Sequence, residues 1–147
     1  MGYDAVILNI DASAAGTFST APAVLRVAIQ QVVRGIDNSS SWRVVVTNVG
    51  GDAAMNVRLN AFDFVSSNGD AVRPNFTNGR DPHRFSLPVA GFLAGGGGSS
   101  GIYVEIEPLP ASALPVRDAA TPEVVVRVRV SADGGRTVTT TEIPVLL

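Results

Sequence analysis

The feature that most constrains this chain is a two-residue period written largely in valine. Val124, Val126, Val128 and Val130 alternate with Val125, Arg127, Arg129 and Ser131. Successive side chains of a strand leave opposite faces, so this pattern spells one buried face and one that carries arginines. Asp133-Gly134-Gly135 follows, a run suited to positive-φ turn geometry, and Thr137 to Leu147 resumes an extended pattern. The spacing predicts a C-terminal hairpin. Pro144 has no N–H to give, which predicts that the last strand is an edge or is paired on one side only there.

The same pattern recurs upstream. Trp42, Val44 and Val46 alternate with Arg43, Val45 and Thr47, and Met55, Val57 and Leu59 alternate with Asn56, Arg58 and Asn60. Between them Asn48-Val49-Gly50-Gly51-Asp52 predicts a hairpin turn with Gly50 or Gly51 at positive φ. After Ala61 the apolar parity moves to Phe62 and Phe64, which predicts a β-bulge or a strand that changes sheets. Residues 24–33, 101–107 and 6–10 read as further strands. No amphipathic helix is found, because Pro108, Pro110 and Pro115 confine the one candidate, Ala111 to Leu114, to about a turn. The expectation is an all-β fold, an immunoglobulin-like β-sandwich of about seven antiparallel strands. Residues 1–20 form an N-terminal strand or arm segment, and residues 21–147 form the sandwich domain. The length of 147 residues suits one such domain.

Residues 42–64 resemble the most recognisable stretch of CARDB-type domains, bacterial immunoglobulin-like modules related to cell adhesion. Val46, Asn48, Gly50, Ala54, Val57 and Leu59 fit that family's strand, short turn and second strand. Leu93-Ala94-Gly95-Gly96 before Ile102 is similar to a later element of the family. The resemblance covers about half the chain. It implies a sandwich fold and a non-enzymatic binding or spacer role, and supplies no ligand or site residues.

Chemistry-bearing groups are sparse. There is no cysteine, which excludes a disulfide framework and thiol catalysis. The single histidine, His83, sits in Asp81-Pro82-His83-Arg84, and no Gly-x-Ser-x-Gly elbow exists, so an exposed or loop-bracing histidine is expected over a catalytic one. One histidine without cysteine excludes ordinary zinc sites. Asp63, Asp70 and Asp81 lie in or beside the stretch 66–87, but no Asp-x-Asp-x-Asp run is present, and solvated loop acids are expected over a calcium site. Glu105 and Glu107 share one strand face and are expected to pair across strands with Arg127 and Arg129 rather than to act as a hydrolytic pair. Gly95 to Gly98 read as a flexible connection, since a phosphate-binding loop of the Walker type needs a lysine and the chain has none. Trp42 is expected in the core. Asn38-Ser39-Ser40 and Asn75-Phe76-Thr77 are formal glycosylation sequons.

Net charge is −2 with 11 arginines, no footprint for nucleic acid. No apolar run approaches the roughly 20 residues that span a bilayer. The first residues carry no signal-peptide pattern. The chain is therefore expected to act where it is made, to leave by another route, or to have had a signal removed.

No catalytic, cofactor-binding or metal residues are expected. The expected partners are proteins, either copies of the chain itself or other subunits of an assembly. Candidate contact residues are Phe76, Arg80, Arg84 and Phe85 in the long loop, and Val6, Leu8 and Ile10 in the N-terminal segment. The alternatives are that Phe76 and Phe85 anchor the loop onto the sandwich and that the N-terminal strand pairs within its own chain. The functional expectation is a structural subunit of a large assembly, such as a decoration, capsid-associated or tail component of a virus particle. The alternative is a bacterial cell-surface or extracellular adhesion module.

Overall fold

The computed structural model describes residues 22–35, 39–66, 68–77, 85–108 and 123–146. They form eight strands: β1 (Leu25–Arg34), β2 (Ser40–Asn48), β3 (Ala54–Val65), β4 (Ala71–Val72), β5 (Leu87–Leu93), β6 (Gly98–Ile106), β7 (Glu123–Ala132) and β8 (Thr137–Leu146). The only helical segment among these residues is the one-turn Asp133–Gly135. One antiparallel sheet has the order β1-β2-β6. The other runs β4-β3-β7-β8, with β5 also paired to β3. The all-β reading of the alternation therefore holds. The strand count exceeds the expected seven because β4 and β5 occupy stretches without the long alternation that marks the others. The expected strand at residues 6–10 lies outside the described residues.

The inward faces of both sheets share one core. Val44, Val46, Val104 and Ile106 from one sheet meet Val57, Leu59, Val126 and Val128 from the other, all buried. Trp42 is buried at its centre, edge-on to Phe62 and Phe64 with ring centroids 5.8 and 5.3 Å away. Such pairs add about 0.5–1.5 kcal/mol each beyond burial. Its indole N–H donates to the Ser40 hydroxyl at 2.7 Å, so the buried ring keeps its one polar atom satisfied. The parity shift on β3 is a bulge. Leu59 pairs with Val130 and Ala61 with Arg129, which leaves Asn60 as the extra residue. The bulge turns Phe62 and Phe64 inward together with Val57 and Leu59.

The C-terminal hairpin is present, from Glu123 opposite Leu146 to Ala132 opposite Thr137. Asp133, Gly134 and Gly135 all take positive φ in its turn. β8 is the end strand of its sheet, where the missing N–H of Pro144 is tolerated.

Three expectations are corrected. β2 and β3 do not form a hairpin: they belong to different sheets, and residues 49–53 carry the chain across. Gly50 and Gly51 are accordingly not among the positive-φ glycines. Gly50 is required by close approach, since a Cβ there would stand 1.9 Å from the Pro22 carbonyl oxygen. The glycines at 95–98 are a packed corner rather than a loose connection. A Cβ on Gly95 would stand 2.0 Å from the Gly51 carbonyl oxygen, and the Gly96 and Gly97 N–H groups donate to Gly50 and Asn48 carbonyls at 2.8 Å each. Glu105 does not pair with the arginines of β7, because β6 and β7 lie in different sheets. Arg127 instead holds Glu142 of β8, its register partner, at 2.7 Å.

Candidate functional site

β3 pairs with β5 as far as Leu59 and with β4 from Phe64 onward. Between them, residues 60–63 have no paired strand on that side among the described residues. Asn60 braces the gap: its side chain donates to the Ser131 hydroxyl at 2.6 Å and accepts from Ser86 at 3.4 Å. A small hollow of about 70 Å³ opens at this interruption, lined by Asn60, Asp63, Arg73, Phe76, Phe85 and Arg129 among others. A second hollow of about 140 Å³ is lined by the same two phenylalanines together with Thr77, Tyr103 and Glu105.

The two phenylalanines line both hollows. Phe76 and Phe85 stack with centroids 4.4 Å apart and an interplanar angle of 17°. Phe76 is fixed by a bridge to Ile106, with the Glu107 N–H donating to Asn75 and the Thr77 N–H donating to Glu105. Both rings are buried, at 5% and 7% exposure. Arg80, Arg84 and His83 lie outside the described residues, as do Val6, Leu8 and Ile10. Asn75 and Thr77 of the second sequon are exposed.

Asp63 is the notable acid. It is 8% exposed, unlike the solvated loop acids expected from the sequence. Its carboxylate lies 3.7 Å from the Arg73 guanidinium. Burial pushes its pKa above the ordinary carboxylate value, against the pull of Arg73, Arg127 and Arg129. A carboxylate ringed by guanidinium groups is a poor cation ligand. No cluster of three or more potential metal ligands occurs among the described residues. Asp63, Arg127 and Glu142 stand in register across β3, β7 and β8, a row of alternating charge on the outer sheet face.

A second surface feature corrects the alternation read on β3: Met55 does not share the buried face of Val57 and Leu59, because Ala54 takes the buried position and Asn56 stands at positive φ before Val57. Met55 on β3 and Phe92 on β5 are register partners and both are exposed, at 46% and 56%. The Met55 N–H is held by the Asp133 carboxylate at 2.9 Å, which ties this apolar pair to the end of the C-terminal hairpin. Both residues are visible in the sequence. Their adjacency depends on the β3–β5 pairing, which no local pattern announces.

No family model matches the chain, and no curated protein matches it. Among solved structures, it is similar to a family 123 glycoside hydrolase from Clostridium perfringens, with 13% identity and a TM-score of 0.38. That match covers 84% of this chain and 27% of the hydrolase chain, so the chain spans about a quarter of it. It is also similar to a putative late embryogenesis abundant protein, at 11% identity and a TM-score of 0.36, over 84% of this chain and 71% of that one. Likenesses this slight fix neither fold family nor function.

Proposed function

We propose that the protein is a non-enzymatic interaction subunit of a large assembly, with a phage or virus particle as the favoured setting. In this reading the two antiparallel sheets are an immunoglobulin-like sandwich that serves as a rigid frame. The observation that carries the proposal is the exposed Met55–Phe92 pair. A large apolar side chain and an aromatic ring adjoin on a hydrogen-bonded sheet, where their order is set before any partner arrives. A decoration, capsid-associated or tail component would use such a patch against another subunit. The decisive measurement is the mass of the particle with which the protein co-purifies at native expression. Megadalton complexes are expected, and a monomer free of partners overturns the proposal.

One observation supports a second reading, a CARDB-type surface module. The residues that carry that resemblance, Asn48 and Gly50, form the packed corner between the sheets. They account for the motif as architecture, and a module of that kind would be recovered as a monomer.

A further inference from the structure

The outer face of the three-stranded sheet is polarised along its strands. Val44, Val46 and Val104 point into the core, which gives Arg43 and Tyr103 the outward parity, and Arg26 and Glu105 share it. In register order the face runs from Arg26, past Gly101, to the Arg43–Tyr103 pair and then to Glu105. Exposed Glu107 lies just beyond the end of β6. Positive charge therefore gathers toward one end and negative charge at the other. Arg34, at the acidic end of β1, has the inward parity of its register partner Ser40. Among the described residues, neither Arg43 nor Glu105 makes an ion pair.

The face is also level where its longest side chain lies. Gly101 sits within a strand, where glycine weakens the ladder, and its φ is not positive. What it provides is room. A Cβ there would stand 3.1 Å from Nε and 3.2 Å from Nη2 of Arg43. The guanidinium thus lies down across the sheet, over Gly101, with Nη1 donating to the Gln30 side chain at 3.3 Å. Tyr103 and Val33 stand exposed on the same face. A flattened arginine beside an exposed tyrosine leaves a surface that a second sheet can approach, and these two residue types are enriched where binding energy concentrates.

We infer that this face binds a second copy of the chain, in a two-fold dimer whose axis lies in the contact plane, across the strands and close to Tyr103. Self-complementarity of charge selects this occupant. Rotation about that axis reverses the strand direction, so it lays the cationic end of one copy on the acidic end of the other. Arg43 of one copy then faces the partner's Glu105, and the symmetry makes that pair twice, with Tyr103 of both copies between the pairs. An axis along the strands would instead set Arg43 against the row that holds its own copy. A face of three strands, nine or ten residues long, covers roughly 400 Å², at the weak end for protein interfaces. In a particle of many subunits such contacts act together. The face lies on the opposite sheet from Met55 and Phe92, and the two contacts stand or fall separately.

Sedimentation equilibrium of the purified full-length chain over about 10–500 μM, the range suited to a contact of this size, reads the dimer. Wild type is expected to pass from monomer to dimer, and to dissociate as salt is raised. Arg43→Glu and Glu105→Arg each set like charges at both pairs, and each alone is expected to weaken dimerisation by about tenfold or more. Mixed in equal amounts, the two variants are expected to dimerise with each other, because every facing pair is then opposite in charge. The double variant Arg43→Glu/Glu105→Arg is expected to regain the wild-type dimer. Both side chains point outward, and unchanged melting temperatures verify that each variant is folded. A wild-type monomer throughout the range overturns the dimer and leaves the Met55–Phe92 contact untouched. A dimer that both single substitutions leave intact overturns it too, as do folded variants that stay monomeric when mixed. Met55→Ser/Phe92→Ser is expected to keep the dimer, and its loss there would assign self-association to the other sheet.

Discussion

Asn48 is wholly buried, and its side-chain amide joins three segments of chain. Its oxygen accepts from the Val24 and Gly50 N–H groups at 3.2 and 3.1 Å, and its nitrogen donates to the Asp52 and Leu93 carbonyls at 2.7 and 3.1 Å. Asn48→Ala would leave all four groups without this partner at a corner where water has little access. The expected loss is about 2–4 kcal/mol, measured by urea denaturation. Asn48→Asp should lose stability too, because a carboxylate cannot donate to the two carbonyls and its charge would be buried. Asp63 gives a prediction with a pH signature. Its pKa in the folded protein is raised, so the folded state takes up this proton at a higher pH than the unfolded chain does. Stability from this group is therefore gained as pH falls toward the ordinary carboxylate range, and lost as pH rises through the folded pKa. Relative to Asp63→Asn, the wild-type protein should become less stable as pH rises across that window. Parallel melting curves for the two proteins would contradict the assignment. The sequence shows both residues as ordinary loop or strand polars. Asn48 reads locally as a turn residue, and its bond to Leu93, 45 positions away, has no local signature.

At the scale of elements, the two-residue period located the long strands because burial on one face imposes it. It also marked the bulge at Asn60, since a parity shift within one strand has few other causes. Pairing was less legible. Trp42 to Leu59 carries the local grammar of a hairpin, yet the chain crosses between sheets there, held by contacts from Pro22 and Gly95 that lie far away in sequence. The glycine run was misread for the same reason. Flexibility and close packing both call for glycine, and composition alone does not distinguish them. Substitution does. Gly95→Ala would drive a methyl into the Gly51 carbonyl and should cost about 2 kcal/mol or more. Gly91→Ala, where a Cβ meets nothing within 4 Å and φ is not positive, should be within about 0.5 kcal/mol of wild type. Thermal melts of the two variants check this. Equal melting temperatures would mean that the corner is loose.

At the scale of the molecule, the two sheets share one core, and several large apolar side chains stand outside it, Met55 and Phe92 among them. Met55 and Phe92 can be changed without touching that core, because their inward neighbours Ala54 and Leu93 supply its packing. The double variant Met55→Ser/Phe92→Ser should therefore fold, with a melting temperature within about 2–4 °C of wild type, the shift of a perturbation near 1 kcal/mol in a domain of this size. Association should behave differently. Truncating a central aromatic contact in an interface typically removes about 2 kcal/mol or more, a factor of roughly 30 in affinity. If this pair is the contact, the variant should disappear from the high-mass fraction at native expression while remaining in the soluble folded pool. Retention in the high-mass fraction would move the interface elsewhere, with the exposed Tyr103 and Val33 on the opposite sheet as the next surface to change. Loss of both folding and association would show that the pair supports the β3–β5 ladder. The melting curve therefore has to be read beside the mass measurement.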